Sequence, residues 1–216
     1  MFYISYSFEI AALITGLILY FKLRPVIFRL LVILLIITVL NEGLSFFKFY
    51  KNAGVDKSYF YNFFFVVELI TFFLIYKLNY KYKRHQEILT FIFLFSVFFA
   101  FLFFMVKGVG VFNPFFINAI SLGLIGFGFF YYYTLYNSEE ITTIKTNPLF
   151  WLSTGIIIVN FIHLLFVNAT FVESFRNNPT SKEVFRIINT AGNIFYYSCI
   201  ITCFICSSRF HKPDGT

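Results

Sequence analysis

Three carboxylates, Glu9, Glu42 and Glu68, stand inside long apolar runs of this 216-residue chain. A charged side chain in hydrocarbon costs about 2.5–3.5 kcal/mol on insertion scales, so each needs a compensating role. Glu68 is the hardest to dismiss. It is either protonated and hydrogen-bonded as part of the structure, paired with a cation such as Arg186, or a member of a site. His163 can shuttle a proton or bind a metal, although a lone helical histidine more often packs among hydrogen-bonding neighbours. Smaller polar residues recur at helical spacing. Asn189 and Asn193 are four apart with Arg186 one turn earlier; Asn160 and His163 are three apart, as are Asn118 with Ser121 and Glu42 with Ser45. Such pairs share a helix face, so each stripe is expected to point into a common interior. Asn and Ser also act as plain interhelical glue, contributing roughly 0.6 kcal/mol each. The candidate ligand-binding residues are therefore Glu42, Glu68, Asn118, Ser121, Asn160, His163, Arg186, Asn189 and Asn193.

Other chemistry is weaker or missing. Cys199, Cys203 and Cys206 share one helix face and could in principle hold a metal with His211 as a fourth ligand, but small apolar packing is the simpler reading, and no metal or cofactor is expected. All three fall in the last apolar run, which is no disulfide framework of a secreted domain. The chain has no glycine-rich phosphate loop, no GxSxG elbow and no HExxH pair. Its last apolar run has no lysine for a retinal Schiff base, and its three histidines do not suit a bis-histidine haem. Asn168-Ala169-Thr170 fits a glycosylation acceptor, a short pattern with many chance matches.

The elements that must position these residues follow from composition. Hydrophobic residues make up 59% and Asp, Glu, Lys and Arg only 12%, more apolar surface than a water-soluble fold of this size can hide. Barrel strands alternate apolar and polar positions, whereas Phe91 to Val106 is apolar almost throughout, which selects helices. The chain reads as one all-α domain over 1–216, a polytopic bundle of seven membrane-spanning helices at 5–22, 25–47, 59–78, 88–106, 113–136, 149–170 and 184–207. No cleavable leader is expected, because no basic stretch precedes the first apolar run, and no internal repeat is evident. Ala119, Gly123 and Gly126 form a small-residue face for close helix packing. The fourth segment, polar only at Ser96 in its interior, should face lipid.

The net charge of +7 is spread over the ends of the apolar runs, which argues for membrane topology rather than nucleic acid. With the N-terminus outside and the C-terminus inside, ten Lys and Arg fall on the cytoplasmic side and seven outside, and the segment from Lys77 to Glu87 carries the strongest vote. Lys48 then snorkels to the outer interface. In this frame the candidate polar residues lie in the outer half or at the centre. Val32 to Leu40, Leu124 to Phe130 and Ile156 to Val159 make the inner half oily. The expectation is a polar cavity open to the extracytoplasmic side and floored near Glu68.

The stretch from Asn147 to Ile156 (NPLFWLSTGI), the Asn-bearing run from Ile187 to Tyr196 (IINTAGNIFY) and the segment Tyr61-Asn62 to Glu68 carry a resemblance. Here the chain resembles a group of small bacterial seven-helix proteins of uncharacterised activity, some of them associated with sensor histidine kinases. The resemblance implies a sensory role and carries no catalytic residue with it. Richness in Phe, Ile, Asn and Lys fits an AT-rich bacterial genome and hence a multi-pass protein of the inner membrane. Three functions are open. One is a receptor-like or accessory signalling protein, with a small-molecule ligand in the outer cavity and a membrane or cytoplasmic signalling partner. Another is a small-solute or proton-coupled transporter using Glu68. The third is a lipid-acting enzyme with Glu42, Glu68 and His163 as acid-base groups.

Overall fold

A computed structural model describes residues 2–23, 26–47, 49–52, 56, 58–107, 113–138, 144–169 and 178–209. Its helices are α1 (Phe2–Leu19), α2 (Arg29–Phe46), a short α3 (Phe49–Asn52), α4 (Ser58–Asn79), α5 (Lys83–Lys107), α6 (Pro114–Tyr136), α7 (Pro148–Ala169) and α8 (Pro179–Arg209). Short 3₁₀ turns, Tyr20–Lys22 and Val26–Phe28, extend α1 and lead into α2. Seven of these helical stretches are long and apolar enough to cross a membrane. The expected spans match them within a few residues, except that α3 is additional and α5 and α8 begin earlier, at Lys83 rather than 88 and at Pro179 rather than 184. Lys48, Thr170 and His211 lie outside the described residues.

The last three helices start by one device, an Asn-Pro pair. Asn113 Oδ1 accepts from the backbone N–H groups of Phe115 and Phe116 at 3.2 and 3.4 Å. Asn147 Oδ1 takes the Leu149 N–H at 2.9 Å, and Asn178 Oδ1 takes those of Thr180 and Ser181 at 2.9 and 3.3 Å. The side-chain oxygen satisfies orphan donors of the first turn, and the following proline has no N–H to satisfy.

Sequential helices run antiparallel, as their end-to-end bonds show: Arg29 Nε donates to Tyr20 O at 3.1 Å, and Asn118 Nδ2 to Asn168 Oδ1 at 3.0 Å. The helices beginning with α1, α4, α6 and α8 therefore start on one face, here the N-terminal face. α8 packs between α7 and α1, while α6 packs against α4, α5 and α7 and is the most enclosed helix. α5 is, with α1, the least enclosed. Its Phe91, Leu94, Phe95, Phe98, Phe101 and Leu102 are exposed, and Ser96 Oγ turns back to Ile92 O at 2.9 Å. This is the exposed, peripheral position expected of the fourth segment.

Two glycines let α7 and α8 approach closely. A Cβ on Gly155 would stand 2.9 Å from Cys199 Cβ, and one on Gly192 would stand 2.5 Å from Ile162 Cδ1. The small-residue face on α6 is packed in the same way: Gly123 lies against Ser96 and Leu69, and Gly126 against Ile92.

Candidate functional site

Glu68 lies midway along α4 and is buried, with its side chain on a partly open cavity of about 60 Å³. Four helices wall this cavity, each through one stripe. α2 contributes Leu31, Leu34, Leu35 and Thr38; α4 contributes Phe64 and Glu68; α7 contributes Val159 and His163; α8 contributes Asn193, Tyr196, Tyr197 and Ile200. The spacings of three, four and seven residues are those of one helix face; of the stripe expected on α8, only Asn193 reaches the cavity. Neither Glu68 nor His163 makes a hydrogen bond or ion pair with another described residue. Thr38 Oγ1 donates within its own helix to Leu34 O at 2.8 Å.

A second acidic layer lies behind the cavity, toward the N-terminal face. The Tyr197 hydroxyl donates to the carboxyl of Glu9, which is buried on α1, while Glu9 Oε1 has no partner. Glu42 accepts from the Tyr61 hydroxyl at 3.2 Å, and Tyr61 also bonds Ser45. Above them the Tyr50 hydroxyl donates to Asn41 Oδ1 at 2.7 Å and fastens α3 to the end of α2. Burial, with the nearby Glu42 carboxylate, raises the Tyr50 pKa and keeps it a donor.

Among the described residues no lysine or arginine lines the cavity. The ion pairs between described residues, Lys83 with Glu87 and Arg186 with Glu183, lie at the surface and involve neither Glu9 nor Glu68. An unmade hydrogen bond on a buried polar group costs about 1–3 kcal/mol, and a buried unpaired charge more. The region is thus held away from its most stable arrangement, which is where functional groups are sought.

The opposite half of the bundle is built differently. Tyr76, fully buried on α4, shares a hydrogen bond of 2.7 Å with Ser153 of α7. Tyr132 pairs with Thr154 at 2.5 Å, and Tyr80 with Thr134 at 2.8 Å. Leu152, Ile156, Cys203 and Phe204 fill the same layer with no exposure. The expected oily inner half is therefore a packed layer stitched by paired hydroxyls. These tyrosines hide among phenylalanines in the sequence, and their partners lie up to 77 residues away.

Not every expected site residue reaches the cavity. Glu68, His163 and Asn193 do; Glu42 stands in the second layer. Arg186 is exposed and pairs with Glu183 at 2.6 Å, so it does not neutralise Glu68. At roughly 1.5 Å per residue the 31-residue α8 spans roughly 46 Å, more than the ~30 Å of hydrocarbon, and its first turns project beyond the bundle. Asn189 is half-buried, one turn nearer that projecting end. Asn160 Nδ2 is spent on Ile156 O of its own helix at 3.0 Å. Asn118 bonds Asn168 and lines an apolar groove between α5 and α6; Ser121 is buried on α6 with its hydroxyl unpartnered.

Thr38, Tyr196 and Tyr197 escaped the sequence reading. The two tyrosines sit three and four residues beyond Asn193, so extending its stripe by one turn was the available signal. Cys199, Cys203 and Cys206 are buried, and Cys206 Sγ contacts Lys145 O at 3.6 Å. Among the described residues no three His, Cys, Asp or Glu side chains converge as a metal site. No protein-family model, no curated protein and no solved structure matches the chain.

Proposed function

We propose that this chain is a multi-pass membrane protein of receptor-like signalling type, with the Glu68 cavity as its sensing site. The observation that carries the reading is the contrast around Glu68. A carboxyl with no hydrogen bond to a described residue faces a partly open cavity, and the bundle beyond it is closed by the Tyr76–Ser153 pair and the side chains of Cys203 and Phe204. A site that ends at such a layer suits detection more than passage. Occupancy would be felt by α2, α4, α7 and α8 together, since all four wall it. With the N-terminal face outside a bacterial inner membrane, the far end of α4 and its connection to α5 present Lys77, Lys81, Lys83 and Arg84 to a signalling partner.

The position of Glu68 midway along its helix also favours a second reading, a transporter with Glu68 as the coupling carboxylate. That reading needs access from the opposite face in turn. The two separate in a cysteine-free background carrying Asn193→Cys, treated with a membrane-impermeant maleimide from either side of sealed vesicles. Labelling from the N-terminal face alone is expected. Labelling from both faces would replace the receptor reading with the transporter.

A further inference from the structure

We propose that the cavity is a binding site for a small monovalent cation of sodium size, held by the Glu68 carboxylate together with neutral oxygens of Thr38, Asn193 and Tyr197. The inference deepens the receptor-like reading by naming the class of ligand, and it rests on that reading only in taking this cavity as the sensing site.

Size comes first. The cavity holds about 60 Å³, whereas pockets for drug-sized ligands occupy roughly 300–1,000 Å³. Roughly 10–15 Å³ of such space holds one water, so the cavity takes a small ion with a few waters and is far smaller than a pocket for a drug-sized ligand.

Charge comes next. The carboxyl in the wall belongs to Glu68, a second stands behind Tyr197 at Glu9, and among the described residues no lysine or arginine lines the space. An anion would be repelled by this arrangement, and a neutral ligand would leave the carboxylates uncompensated. A single positive charge balances the one carboxylate in the wall, Glu68.

The donors agree. Tyr197 gives its proton to Glu9, and Thr38 gives its own to Leu34 O. Both hydroxyl oxygens therefore keep lone pairs free for a ligand rather than a proton to donate. The Glu68 carboxyl, nine-tenths buried, faces the same space with no hydrogen bond to a described residue, and Glu9 Oε1 is a further buried oxygen without a partner. One wall carboxylate with neutral oxygens suits a hard, singly charged ion. Calcium takes about 6–8 oxygen ligands, several of them from carboxylates, and transition metals favour clusters of His, Cys, Asp or Glu that are not found among the described residues.

The test is equilibrium binding of radiolabelled sodium to the purified full-length chain in nanodiscs, with N-methylglucamine chloride holding ionic strength constant. Saturable uptake of a single ion per chain is expected. Glu68→Gln should weaken it about tenfold or more, and Thr38→Val less, each variant first shown by helix content and elution to be folded. Absence of saturable binding to folded wild-type protein would overturn the proposal, as would binding that Glu68→Gln leaves unchanged. The two readings fail separately. Sodium bound by a protein whose Asn193→Cys is labelled from both faces keeps the ion site and removes the receptor reading; no sodium with labelling from the N-terminal face alone does the reverse.

Discussion

The two halves of this bundle solve the same problem in opposite ways. Both bury polar side chains among apolar helices. On the side away from the N-terminus every buried hydroxyl described above is matched to one on a neighbouring helix: Tyr76 with Ser153, Tyr132 with Thr154, Tyr80 with Thr134. Toward the N-terminal face, Glu68 and His163 border a cavity without a hydrogen-bonding partner, and Glu9 is satisfied at one oxygen only. A bundle that pairs these hydroxyls across helices at one end has the means to satisfy or replace its carboxylates at the other. The acidic end is therefore read as poised for a ligand and the hydroxyl end as the rigid layer against which it works.

Breaking the paired half should produce the largest loss. Ser153→Val leaves the Tyr76 hydroxyl buried without its partner, and a destabilisation of about 1–3 kcal/mol is expected in a denaturant titration of the purified protein. Tyr197→Phe tests the border between the halves. It removes the bond to Glu9 and should cost about 1 kcal/mol, and adding Glu9→Gln should recover part of that loss, because the neutral amide is cheaper to leave unpartnered. Arg186→Gln should do least. Its pair with Glu183 is exposed, so a change within about 0.5 kcal/mol is expected, and a larger one would show that Arg186 reaches the site after all.

Local signals made the helices legible. Apolar runs of about 20 residues and the three Asn-Pro pairs mark where helices run and start. Glu68, His163 and Asn193 were legible too, because charge or amide in such runs is costly and conspicuous. The rest depends on which helix faces which. Tyr76 finds Ser153 only in three dimensions, and tyrosine among 36 phenylalanines carries no contrast in composition. Arg186 was misplaced because the early start of α8 at Pro179 adds projecting turns that an apolar run beginning at 184 does not reveal.

The contrast itself is tested most directly by comparing the unfolding midpoints of Glu68→Gln and Tyr76→Phe in one detergent, without added sodium. Glu68→Gln is expected to be as stable as the wild type or more so, since it neutralises a carboxyl with no hydrogen bond to a described residue, while Tyr76→Phe is expected to be less stable by about 1 kcal/mol. Equal destabilisation by the two substitutions would contradict the contrast, for Glu68 would then be held by structure as firmly as the paired hydroxyls are.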